Sequence, residues 1–444
     1  MVQTLPLPLP ATLVDEHRID LAAPYTSGWG VEAEDVRTAP TGEFYALYTL
    51  WRAGPGFREV AASPAEERLA YRILTRYAPD GTVLNTTLCC HDHPDGTPSA
   101  VKCSPDMSLC VLPDGKVALS GTPDRTHLLT PELDTVLAAW SMPNRPYDEE
   151  PLPGDPFVTS MSVMPSGRLL CVATEYGTHR YGNSLPNIVG LAETVPAAGH
   201  KPEVRALVSL DGSPAHQTAE NDLRPHVTHA GAPVGLDNRP HSLVDHLRRD
   251  TGDPYVWSQS RLGRPAPIGA ELFVVPVFAR TYRGGSRGQP HAFLLVDTDG
   301  RVTGRLGGME PWKDSPFTGH CFNLVADPHR GHAFHLNRYG LYAWTADGSL
   351  RARLATEEQQ FKALTRFTPT EVSPDGTLVL VHRTQHLMLR IPIPDDLTEL
   401  GPVVAEALRI HTKQRTALKK EWAKAWGPVV NWHWATGGTR PHRL

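Results

Sequence analysis

Residues 88–96, LCCHDHPDG, set two cysteines, two histidines and two aspartates almost side by side, and Cys103 and Cys110 follow. Thiolates, imidazoles and carboxylates are the ligand types of a transition-metal site. The spacing argues against one. Cys89 and Cys90 are adjacent, so on an extended backbone they point to opposite sides and cannot chelate as a pair. What remains, Cys90, His91, His93, Asp95 and Cys103, lacks the C-x-x-C and H-x-x-x-H intervals of structural zinc modules. Cys110 in SLCVLPDG and Cys171 in RLLCVATE read as small buried hydrophobes, as does Cys321 before FNLVAD. The stretch is expected to be a polar loop, with His91 and His93 as its candidate ligands should a metal bind there.

Whether those residues meet depends on the elements that carry them. The chain has 444 residues, 40% hydrophobic and 20% charged, with 42 prolines and 37 glycines. That many breakers leave little room for long helices and point to short strands with tight turns. The net charge of −5 excludes a protein that is basic overall. The N-terminus, MVQTLPLPLPATLVDEH, lacks the basic region of a secretory signal, and no apolar run is long enough to span a bilayer. Six cysteines without framework spacing fit reduced thiols, so a cytoplasmic location is expected.

Two cassettes recur. In the first, proline stands two residues before glycine and an apolar strand follows: APTGEFYALYTL, LPDGKVALSG, MPSGRLLCVATE, APIGAELFVVPV and SPDGTLVLVH, with DPHRGHAFHLN as a looser copy. Proline presets φ for the turn and glycine supplies the positive φ that closes it. In the second, an apolar strand turns at Asp-Gly into another strand, as in ILTRYAPDGTVLNTTL, FLLVDTDGRVTGRLGG and LYAWTADGSLRARLAT. HLLTPELDTVLAAW and RALVSLDGSP are weaker copies. Each pair of cassettes makes a four-stranded antiparallel meander, and such meanders stacked radially form a β-propeller. The expected fold is all-β, with blades near 36–88, 109–140, 160–214, 255–308, 323–356 and 370–394. The segment 12–22 would close the last blade, giving a propeller over 12–394. Residues 213–254 are an inserted loop or a degenerate seventh blade.

Blade five, LVADPHRGHAFHLNRYGLYAWTADGSLRARL, resembles an NHL-type repeat, and blades four and six resemble it in part. The resemblance implies a six-bladed propeller and leaves the activity open, because propellers host ligand binding, scaffolding, RNA binding and metal-assisted hydrolysis.

Beyond the blades the period changes to three and four. Residues 395–444 read as a basic helix, with Pro402 near its start and Gly427-Pro428 at its end, and a Trp-rich tail. Leu400, Val404, Leu408, His411, Arg415, Leu418, Trp422 and Trp426 would line one stripe. From 409 onward eight basic residues face one carboxylate, Glu421, which suggests docking on an acidic surface, either the chain's own propeller or a partner, or on nucleic acid.

Every expected middle loop carries arginine: Arg52, Arg125, Arg180, Arg280 with Arg283, Arg338 and Arg383, with Trp51, Tyr181, Tyr282 and Tyr339 as aromatic neighbours. These loops lie on the face opposite the Pro/Gly and Asp-Gly turns. Two readings follow. The guanidinium groups can form an anion-binding mouth, since each offers forked donors and stacks on aromatic rings. They can equally be bridges between blades. Catalytic signatures such as G-x-S-x-G, H-E-x-x-H or a phosphate-binding glycine loop are absent from the sequence. The expected function is a non-enzymatic, cytoplasmic recognition or scaffolding propeller, without cofactor or membrane, that binds an acidic protein or anionic ligand. Two alternatives stand. One is an RNA-binding propeller. The other is a metal-dependent lactonase, hydrolase or lyase, which would use Glu175, Asn337, His382 and His91 at the channel as a Lewis-acid site.

Overall fold

A computed structural model describes residues 2–7, 29–52, 69–89, 91–92, 98–99, 101–102, 108–120, 126–140, 158–174, 186–200, 202, 204–209, 241–242, 257–283, 286–288, 291–307, 324–382 and 387–426. It is a six-bladed β-propeller with one long C-terminal helix. Each blade is a four-stranded antiparallel meander. Blade one comprises Trp29–Thr38, Phe44–Arg52, Leu69–Tyr77 and Val83–Cys89. Blade two comprises Ser108–Val111, Val117–Ser120, Thr126–Leu129 and Val136–Trp140. Blade three comprises Val158–Val163, Leu169–Thr174, Pro186–Ala192 and Val204–Ser209. Blade four comprises Trp257–Leu262, Leu272–Arg283, His291–Asp297 and Val302–Arg305. Blade five comprises Leu324–Asp327, His332–Asn337, Gly340–Thr345 and Leu350–Ala355. Blade six has Thr368–Val372, Thr377–His382 and Leu387–Pro392.

The outer strand of blade six is Gln3–Pro6, which pairs with Leu387–Pro392 from Gln3 opposite Arg390 to Pro6 opposite Leu387. The closing strand therefore comes from nearer the N-terminus than the expected 12–22, a segment outside the described residues. Within 213–254, His241–Ser242 adds a short parallel strand to the edge of blade three; the rest of that insertion also lies outside the described residues.

The turn chemistry follows the cassettes. In blade six, for example, the Gly376 amide donates to the Ser373 carbonyl at 2.8 Å, three residues back. Two Asp-Gly turns show a second reason for glycine. A Cβ on Gly300 would stand 2.5 Å from the Leu207 carbonyl of blade three, and one on Gly348 would stand 2.5 Å from the Arg305 carbonyl of blade four. Both positions have positive φ and abut the preceding blade, so any side chain would collide with its backbone. The weak copy in blade two puts Leu133 at this place, with φ 64°. Blade one grips that turn: Tyr45 Oη donates to the Pro131 carbonyl at 3.0 Å, and Thr87 Oγ1 to the Leu133 carbonyl at 2.6 Å.

The chain divides into two compact units, one of Met1–Val117, Leu129–Thr135 and Thr356–Leu444, the other of Ala118–Leu128 and Val136–Ala355. In the first, blades six and one bury Leu5, Leu7, Tyr48, Ile73, Val379 and Met388 together. In the second, blades three and four share Leu170, Val172, Phe273, Val275 and Leu294. The core thus lies between the faces of neighbouring sheets, where alternate residues of each strand interdigitate.

Helix α1 spans Leu400–Trp426. A short 3-10 turn, Leu397–Glu399, leads into it, capped by the Asp396 carboxylate, which accepts from the Thr398 amide at 2.9 Å. The helix packs on the two outer strands of blade six, Gln3–Pro6 and Leu387–Pro392. Leu400, Val404, Ala407, Leu408 and His411 are buried there. Four of these five belong to the expected stripe, so the first half of the helix docks on its own propeller. The side chains of Leu418, Trp422 and Trp426 are outside the described residues.

Candidate functional site

The cysteine–histidine stretch occupies an excursion from the outer edge of blade one. Val83–Cys89 pairs along Leu69–Tyr77, His91–Asp92 forms a two-residue ribbon with Pro98–Ser99, and Val101–Lys102 then resumes pairing with Leu69 and Ala70. The expected loop is therefore partly ribbon. Cys90, His93, Asp95 and Cys103 lie outside the described residues, as does Glu175. Among the described residues no three His, Cys, Asp or Glu side chains are grouped to hold a metal. Asn337 serves the backbone instead. Its Oδ1 accepts from the amides of Tyr339 at 2.8 Å and Gly340 at 3.1 Å, closing the middle turn of blade five.

That turn presents Arg338 and Tyr339, both exposed. The Arg338 guanidinium lies 4.6 Å from the centroid of the Tyr339 ring and donates to its hydroxyl. Of the other middle-loop arginines, Arg52 ends the second strand of blade one. Arg280 and Arg283, with Tyr282, fall in a strand and not in a loop. Leu272–Arg283 runs past the third strand of blade four and pairs back on Ser286–Gly288, Tyr282 opposite Arg287 and Arg283 opposite Ser286. Arg125, Arg180, Tyr181 and Arg383 lie outside the described residues.

Arginines that bridge blades occur elsewhere. On the turn face, Arg76 of blade one meets Glu43 of its own blade at 2.8 Å and Glu132 of blade two at 3.6 Å. Arg205 of blade three pairs with Glu193 at 2.5 Å and donates to the Thr298 carbonyl of blade four at 3.0 Å. On the innermost strands, Arg37 Nε donates to the Leu109 carbonyl of blade two at 3.1 Å. Its Nη1 donates to the Thr370 carbonyl of blade six, and its Nη2 pairs with Asp35 at 3.0 Å. The Thr38 amide donates to Glu371 of blade six at 2.7 Å. In blade four, Arg264 Nε donates to the Met161 carbonyl of blade three at 2.6 Å.

These inner residues obey a rule that the motifs of the blades do not include. Arg37, Arg264 and Glu371 each stand three residues before a turn proline, Pro40, Pro267 and Pro374. The carbonyls that receive the arginines, Leu109, Met161 and Thr370, each stand four before theirs, Pro113, Pro165 and Pro374. Aligned on the turn proline, these charges fall in one column, Arg37 and Glu371 within strands and Arg264 in the link between Trp257–Leu262 and Ala266–Pro267.

A second buried group gathers where blade six meets α1. His382, the last residue of Thr377–His382, is 7% exposed, and among the described residues no group hydrogen-bonds either ring nitrogen. Phe367 lies between His382 and His411, its ring centroid 5.5 Å from one and 5.1 Å from the other, both edge-on. Thr4 Oγ1 and His411 Nδ1 are 3.1 Å apart, which ties the N-terminal strand to the helix.

Burial shifts the titration of Glu371 on the inner strand and of both histidines at the seam. Burial, opposed by Arg37 and the Thr38 amide, raises Glu371 to about 7. Burial, and then the positive charges of Arg415 and Arg366, lower His382 and His411 to about 4. Folded Glu371 therefore holds a proton that an unfolded glutamate has released, and its contribution to stability is lost as the pH rises from about 4.5 to 7. The histidines act in the opposite sense: the unfolded chain binds protons that the folded chain refuses, so stability falls as the pH drops from about 6.5 to 4. The wild-type chain should be most stable near pH 6.5, about where the two trends cross. Glu371→Gln should show a plateau above that pH and a steeper acid-side loss. Urea midpoints from pH 4 to 8 for both chains test this, and identical profiles would refute it.

No family model matches the chain, and no curated protein sequence does. Among solved structures it is similar to the Pan2 WD40 domain of Neurospora crassa, at 8% identity and TM-score 0.36, over 87% of this chain and 94% of that one. It is also similar to the β-propeller domain of Cps50 (Swd1) from Myceliophteria_thermophila, at 8% identity and TM-score 0.32, over 82% and 97%. A third is a protein of unknown function from Bacteroides caccae, at 9% identity and TM-score 0.34, over 70% and 78%. At such values the six-bladed architecture rests on the chain's own sheets.

Proposed function

We propose that the chain is a recognition propeller without chemistry of its own, binding an acidic segment of a partner protein on its middle-loop face. The observation that carries this reading is the blade-five turn, where Asn337 fixes the backbone and Tyr339 supports the Arg338 guanidinium. A guanidinium already laid on a ring loses little freedom when it grips a carboxylate, which favours binding. The division of labour among arginines supports the same reading. Bridges between blades are supplied by Arg76, Arg205, Arg37 and Arg264, on the turn face and the inner strands. Arg280 and Arg283 lie among the last residues of the second strand of blade four, at the end that corresponds to Arg338 in blade five.

The test is charge reversal with defined probes. A fluorescent poly-glutamate peptide should bind the wild-type chain and weaken as salt rises. Arg338→Glu combined with Arg280→Glu should lower that affinity at least about tenfold, the scale of one lost charge-assisted contact. The melting temperature should change little, since Arg338 is exposed. A single-stranded RNA oligonucleotide run in parallel separates the nucleic-acid alternative: binding of RNA without binding of the peptide would replace the reading. A large fall in melting temperature would return these arginines to a structural role.

A further inference from the structure

Blade four contains a hairpin longer than its fourth strand covers. Leu272 stands opposite Asp297 and Phe278 opposite His291; further out, Thr281 stands opposite Gly288 and Arg283 opposite Ser286. Both sets of pairs share one register. The fourth strand stops early: Val302–Arg305 reaches only Leu294, and the Leu306 amide then donates to the Phe293 carbonyl at 2.9 Å. Beyond that point His291 and Ser286–Gly288 have no partner on their outer edge among the described residues.

Two hydrogen bonds fix which main-chain groups this edge offers. Phe293 gives its carbonyl to the fourth-strand side, and Pro276 opposite it gives its carbonyl to the Gly263 amide at 2.8 Å, on the first-strand side. Main-chain groups alternate in direction along a strand. His291, two residues before Phe293, therefore directs its N–H and C=O outward. Counting from Pro276 in steps of two, Tyr282 faces the first-strand side, so Arg287 opposite it also faces outward. The edge thus presents one donor and one acceptor at each of Arg287 and His291.

An open edge of this kind is a template for another strand. An extended peptide has the alternating amides and carbonyls to complete it, which a nucleic-acid backbone lacks. Charge selects among peptides. Residues 272–296 include Arg280, Arg283, Arg287 and His291 but no aspartate or glutamate. An acidic strand is attracted there and a basic one repelled.

We propose that an extended acidic segment of the partner protein adds as a strand to the outer edge of the blade-four hairpin, pairing its main chain with Arg287 and His291. The inference rests on the recognition reading and adds to it the conformation in which the partner is held.

The experiment uses the full chain and two fluorescent peptides of equal charge. One alternates glutamate and threonine; the other has the same sequence with four consecutive central amides N-methylated, which removes donors from both of its edges. The unmodified peptide should bind, and the methylated one at least about tenfold more weakly, as several main-chain hydrogen bonds are lost. Two substitutions separate charge from main chain. Arg287→Ala removes the charge alone, and Arg287→Pro removes the charge and the outward N–H. The proline should bind about threefold or more weakly than the alanine, the scale of one hydrogen bond. Both should melt close to wild type, because that N–H makes no bond within the hairpin and proline is tolerated on an edge. Equal binding of the two peptides, equal binding by the two variants, or a much lower melting temperature for the proline would overturn strand addition and leave the recognition reading standing. Failure of both peptides to bind the wild-type chain would remove the recognition reading, and strand addition with it.

Discussion

Replacing Arg37 by alanine is expected to lower stability by about 3–5 kcal/mol, the usual cost of removing one partner from a buried charge pair. Three losses coincide. The carbonyls of Leu109 and Thr370, on blades two and six, lose their donor. Asp35, 4% exposed, loses the guanidinium that pairs with it at 3.0 Å. Glu371 loses the cation that offsets its burial. Because one side chain spans three inner strands, the damage is not confined to blade one. Adding Glu371→Gln to Arg37→Ala should recover part of the loss, since a neutral amide does not need the cation. Urea unfolding of the two variants and the wild type measures both steps. A cost below about 1 kcal/mol, the range of an exposed pair, would mean that the cluster contributes little.

The second large effect concerns α1. A chain ended after Pro394 should lose far more than an appendage. Leu400 and Val404 are fully buried and Leu408 nearly so, and large aliphatic side chains contribute about 1.5–3 kcal/mol each on burial. Removing three costs of the order of 5–9 kcal/mol, comparable with the whole stability of a typical domain. The truncated chain should be recovered mainly as aggregate, because the outer surface of blade six is bared. The milder pair Val404→Ser with Leu408→Ser should stay soluble and melt well below wild type. Soluble yield and thermal melting decide it. A truncated chain that melts within a few degrees of wild type would show that the helix is dispensable.

Much of the architecture is legible in the sequence because the repeat is written in residues with one strong conformational meaning. Proline two before glycine, and Asp-Gly between apolar runs, force reversals at fixed intervals, and period-two alternation does the rest. The departures have specific causes. Gln3–Pro6 is followed by further prolines and so reads as broken chain; as the outermost strand it needs hydrogen bonds on one side only, where proline is tolerated. Arg280 to Arg283 read as loop because the strand carrying them outruns its own blade to pair with Ser286–Gly288. Arg37, Arg264 and Glu371 form a column at fixed distance from the turn proline, but one position of mixed sign, set in Trp29–Thr38 among other charges, stands out less than arginines repeated beside aromatic rings. His382 could be weighed in sequence only as a metal ligand. Its isolation depends on α1 folding back over blade six, a contact between distant parts of the chain that no local pattern encodes.

The pairing of Gln3 with Arg390 has a consequence for how the molecule is made. Gln3–Pro6 belongs to the blade whose other strands lie between 368 and 392, so it is made long before the strand it pairs with. Closing so long a loop costs entropy before any contact repays it, which makes completion of the ring a late and slow event. Meanwhile Gln3–Pro6 is an open edge able to pair with the wrong strand. Proline stands at positions 6, 8 and 10, and each removes one main-chain donor from the waiting segment. The same run that hides the strand from a reader of the sequence thus protects it from mispairing, and α1, which packs on Gln3–Pro6, locks it in place.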